Sequence, residues 1–106
     1  MDPNERFAEL VHELACEPDV QPPDATGSRR FGAATLRVDG SIFAMLADGA
    51  LVVKLPAARV AALIAAGAGG PFSAGTGRPM REWLTAAEDA DWPALAREAL
   101  AFVRTR

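Results

Sequence analysis

Apolar and polar positions alternate most regularly between Phe31 and Leu55, in FGAATLRVDGSIFAMLADGALVVKL. Leu36 and Val38 alternate with Thr35 and Arg37, the period-two pattern of a half-buried strand. Ser41–Ala47 is apolar on both faces, with Ile42, Ala44 and Leu46 on one and Phe43, Met45 and Ala47 on the other. Leu51, Val53 and Leu55 then alternate with Ala50, Val52 and Lys54. Two Asp-Gly pairs, Asp39-Gly40 and Asp48-Gly49, separate these runs. A type I′ turn needs φ > 0 at both central residues, which Gly adopts freely and Asp tolerates. The pattern predicts a three-stranded antiparallel meander. Its middle strand, apolar on both sides, needs cover on both, from helices or from a second subunit.

A helical period flanks the meander. Asp2-Pro3-Asn4-Glu5 reads as an N-cap, a first-turn proline and a capping-box acid. Phe7, Leu10, Val11 and Leu14 follow on one narrow stripe, so a helix is expected from Pro3 to about Cys16, ending before Pro18. Glu17–Ser28 is rich in Pro, Asp, Gly and Ser and reads as a connection. Pro56 opens a second helix whose expected buried face is Ala57, Val60, Ala61, Leu63 and Ile64, with Gly67 as its stop. Gly67–Pro79 reads as a glycine-rich loop anchored to the core by Phe72, and Met80–Thr85 as a fourth strand. A last helix is expected behind Asp91, burying Trp92, Leu95, Ala96, Ala99, Phe102 and Val103 and exposing Arg97 and Arg104. The fold class is therefore α+β, an antiparallel sheet of four or more strands with an N-terminal helix, one inserted helix and a C-terminal helix.

Composition narrows this picture. With 106 residues, half of them apolar, residues 1–106 are read as a single domain with one core. The net charge of −3 argues against nucleic-acid binding through the overall field. A single cysteine allows no internal disulfide and fits a cytoplasmic location. No basic start with an apolar h-region and no membrane-length apolar run appears.

Little of this carries chemistry. His12, the only histidine, lies off the apolar stripe, and Cys16 stands at a helix end; neither has a partner fixed by spacing, so both are expected to be dispensable. Glu88, Asp89 and Asp91 read as helix-start acids rather than metal ligands. The 67–79 loop lacks the G-x-x-x-x-G-K-[ST] phosphate cradle. No catalytic, cofactor-binding or metal-binding residue is assigned. Arg29, Arg30, Arg78 and Arg81 flank strand ends and could gather on one edge as an anion or nucleic-acid contact. If the first helix joins the other two on one face of the sheet, the other face stays open, and Phe43 and Met45 become the expected contacts of a homodimer.

Phe31-Gly32-Ala33, Val38-Asp39-Gly40, Phe43-Ala44, Leu51-Val52-Val53-Lys54-Leu55, Pro71-Phe72 and Gly77-Arg78-Pro79-Met80 occur in an order that resembles the TfoX N-terminal domain family. The resemblance runs from about Arg30 to the C-terminus. Arg30 stands where the family usually has Met, Ala33 replaces a second Gly, and Thr76 replaces a frequent Lys. The resemblance implies a small α+β domain of MmcQ/YjbR-like architecture without established catalytic residues. It also implies a regulatory or protein-interaction module rather than an enzyme. The alternatives are a nucleic-acid-binding transcriptional or competence regulator, and a small-molecule-binding protein or enzyme using the 67–79 loop.

Overall fold

A computed structural model describes residues 2–21, 34–47, 49–72 and 81–105. Helix α1 (Pro3–Leu14) starts where Asp2 caps it: the Asp2 carboxylate accepts from the Glu5 N–H at 2.9 Å. Its buried residues are Phe7, Leu10 and Leu14, with Val11 packed beside them, so the expected stripe is the one it uses.

The meander forms as the Asp-Gly pairs predict. Strands β2 (Ala34–Val38), β3 (Ser41–Ala47) and β4 (Ala50–Lys54) pair antiparallel through two-residue connections. Asp39 has φ 51° and Gly40 φ 79°, the two positive values that a type I′ turn requires. Asp48 lies outside the described residues, while Gly49 has φ 78°. Gly40→Val is expected to cost about 1 kcal/mol or more, because a β-branched residue resists that conformation. Chemical denaturation checks this, and an unchanged midpoint would mean the turn relaxes at no cost.

Two further strands lie where the sequence reads as loop. Val20–Gln21 is β1, inside the expected 17–28 connection, and Gly69–Pro71 is β5, inside the expected 67–79 loop. Strand β6 is Trp83–Ala86, so the expected 80–85 strand begins later, after a turn at Arg81-Glu82, and Met80 falls outside the described residues. The six strands form one antiparallel sheet in the order β1-β2-β3-β4-β6-β5. Among the described residues both edge strands are short, one of two residues and the other of three ending in Pro71, which has no N–H to offer a further strand.

Helix α2 (Ala57–Ala65) is N-capped by Pro56 and stops at Gly67, φ 79°. The Ala68 N–H donates to the Leu63 carbonyl at 2.9 Å and the Gly67 N–H to the Ile64 carbonyl at 3.0 Å, a Schellman closure. Only Val60 and Leu63 of its expected face are buried; Ala57, Ala61 and Ile64 are exposed, the last at 37%. The helix lies over the β5–β6 side of the sheet, where its short joint to β4 confines it, and so shows the core a single narrow edge. The chain turns from α2 directly into β5. A Cβ on Gly69 would sit 2.5 Å from the Thr85 carbonyl oxygen, so glycine lets this edge strand close onto β6.

Helix α3 (Trp92–Arg104) is capped by Asp91, whose carboxylate accepts from the Ala94 N–H at 3.1 Å. It buries Trp92, Leu95, Ala96, Ala99, Leu100 and Val103, with Phe102 at the margin, so the apolar face is broader by Leu100 than expected. Arg104 is exposed as expected. Its Nη2 bonds Glu17 at 3.0 Å and Asp19 at 2.7 Å, pinning the approach to β1. Arg97 meets Glu13 at 3.2 Å and Arg59 meets Glu98 at 2.7 Å. The hydrogen bond to Glu17, then that to Asp19, raises the Arg104 pKa, and Glu98 raises that of Arg59. No helix among the described residues is long and apolar enough to cross a membrane.

All three helices contribute to one core. Phe7, Leu10 and Leu14 of α1, Val60 and Leu63 of α2, and the buried face of α3 cluster with Leu36, Val38, Ala44, Leu46, Leu51, Val53, Leu84 and Ala86 of the sheet. Those sheet residues share one side by strand alternation and register. The helices therefore cover one face of the sheet and leave the other without a described helix.

Phe43 corrects the expected faces of β3. Leu36 pairs with Ala44 and Arg37 with Ile42, so Phe43 is the extra residue of a β-bulge. The bulge shifts the phase of the strand. Phe43 and Ala44 are consecutive yet both fully buried in the helix-side core. Phe43 is thus a core residue and is withdrawn from the expected dimer contacts.

Candidate functional site

Strand register builds the helix-free face one row at a time. Thr35, Met45, Val52, Thr85 and Gly70 are successive cross-strand partners from β2 to β5, so they form one row across the sheet. Toward one end stand Arg37 paired with Ile42, and Lys54 paired with Trp83. Toward the other stand Ala47 and Ala50, paired at the second hairpin. Val52 is outside the helix-side cluster and only 1% exposed, so the reachable surface lies on the half-buried Thr35, Ile42, Met45, Trp83 and Thr85 around it.

The bulky end is organised by rings. The Phe72 and Trp83 rings are 6.4 Å apart at 54°, and the Lys54 ammonium lies over the Trp83 ring at 5.6 Å. Phe72 therefore packs on Trp83 rather than anchoring a loop to the core, as the sequence suggested. The Thr85 hydroxyl donates to the Pro71 carbonyl at 3.3 Å and holds β5 to β6 from this side. No residue of the described strands is acidic, so Arg37 and Lys54 give the face a positive end although the whole chain carries a net charge of −3.

On the helix side, a solvent-open cleft of about 180 Å³ lies between Pro3, Arg6, Glu88 and Trp92. The Arg6 guanidinium stacks on Trp92 at 4.0 Å. Its Nη1 donates to the Glu88 carbonyl at 2.6 Å and its Nη2 to the Ala90 carbonyl at 3.0 Å. These bonds fasten α1 to the β6–α3 connection, so the cleft is a structural joint. The Trp92 indole N–H is buried without a hydrogen-bond partner.

Arg29, Arg30 and Arg78 lie outside the described residues, as does most of the 67–79 loop, and Arg81 is exposed in the turn before β6. Met45 lies on the helix-free face, and Phe43 lies beneath it in the core. His12 and Cys16 are exposed, and the Cys16 thiol donates to the Glu13 carbonyl at 3.0 Å. Asp91 caps α3 while Glu88 and Asp89 are exposed; among the described residues no group of three His, Cys, Asp or Glu could hold a metal ion. The sequence reading missed Ile42, Lys54, Trp83 and Thr85 as neighbours on one face. The β3–β4 register was available, because a two-residue turn at Asp48-Gly49 sets Ala47 against Ala50 and hence Met45 against Val52. The pairing of β4 with β6 had no such local signal. Searches against protein-family models, curated proteins and solved structures found no match to this chain.

Proposed function

We propose that this chain is a non-enzymatic regulatory or protein-interaction module of the TfoX N-terminal kind, acting in the cytoplasm through the helix-free face of its sheet. One observation carries the reading: all three helices enter a single core on one side, while Ile42, Met45 and Trp83 stand half-buried on the other. Half-buried apolar side chains gathered on a sheet face without a described helix mark an interaction site. The ordered motifs read in the sequence support the family resemblance. Among the described residues His12 and Cys16 are both exposed, and the Cys16 thiol donates to the Glu13 carbonyl rather than to a base.

Met45→Glu is expected to abolish partner capture while leaving stability within about 1 kcal/mol, because the change falls on a half-buried surface position. The check is a pull-down from native lysate with wild type and variant, analysed for protein, nucleic acid and small molecules together. The same captured set from both would remove this face from the account.

One feature favours a second reading. Arg37 and Lys54 share an end of the face with Trp83 and Phe72, a combination that could stack and neutralise single-stranded nucleic acid. That reading requires a mobility shift that weakens steeply with salt.

A further inference from the structure

We draw no further inference here: the strongest candidate, the cleft of about 180 Å³ between the start of α1 and the β6–α3 connection with the unpartnered Trp92 indole N–H beside it, belongs to the structural joint already described, because Arg6 is committed to the Glu88 and Ala90 carbonyls and to the Trp92 ring, and the indole N–H is closed off from solvent.

Discussion

Replacing Phe43 with alanine is expected to destabilise the fold by about 3–5 kcal/mol, the usual cost of removing a buried aromatic side chain. Phe43 is fully buried at the bulge of β3, in the same cluster as the three helices. Its loss leaves a cavity at the centre of the domain and removes the reason for the bulge. Against a total stability of about 5–15 kcal/mol, that is enough to leave the variant partly unfolded near body temperature. Met45→Ala, two residues along and on the opposite face, is expected to cost far less, because its side chain is only half-buried. Urea denaturation of the two variants decides the matter. Equal and small losses would mean that Phe43 points away from the helices and that the faces of β3 are as simple alternation has them.

The second large effect is expected at Trp92, which is 3% exposed and lies under the Arg6 guanidinium. Trp92→Ala removes the largest side chain of α3 from the core and the ring on which Arg6 rests, for a combined loss of about 3–5 kcal/mol. At about 4–8 °C per kcal/mol for a domain near this size, the melting midpoint falls by roughly 12 °C or more. Trp92→Phe separates packing from polarity. It keeps most of the ring and deletes an indole N–H that is buried without a partner, so its cost should be well below that of alanine. Arg6→Lys tests the other half of the joint, since an ammonium cannot reproduce the guanidinium fork that spans the Glu88 and Ala90 carbonyls. A Trp92→Ala loss under about 1 kcal/mol would mean that the start of α3 is not docked against α1.

What the sequence made legible was local chemistry. Asp39-Gly40 encodes its own turn, Asp2 and Asp91 announce helix starts, and Gly67 closes α2, each through backbone groups a few residues away. The period of α3 was legible for the same reason, although Leu100 broadens its face because the helix lies across several strands at once. Val20–Gln21 and Gly69–Pro71 were illegible because two or three residues carry no period, and their strand character comes from β2 and β6. The Phe43 bulge was illegible because it depends on how β2 registers against β3, which alternation within one strand cannot reveal.

The candidate face divides along the same line. Met45 was legible because a strand apolar on both sides must present something away from its helices. The meeting of Lys54 with Trp83 and of Trp83 with Phe72 was not, because β4 and β6 pair only after α2 and β5 intervene. Of the arginine set proposed from sequence only Arg81 is described, since Arg29, Arg30 and Arg78 lie outside the described residues.

The most direct test of the helix-free face as the binding surface is oxidative footprinting read by mass spectrometry, on the purified chain alone and on the chain recovered with its captured partner. Met45 and Trp83 are expected to be modified readily in the chain alone while Phe43 and Trp92 stay protected. With the partner bound, Met45 and Trp83 should become protected while Ile64, exposed on α2, keeps its reactivity. Met45 and Trp83 already unreactive in the chain alone, or protection appearing at Ile64 instead, would contradict the account.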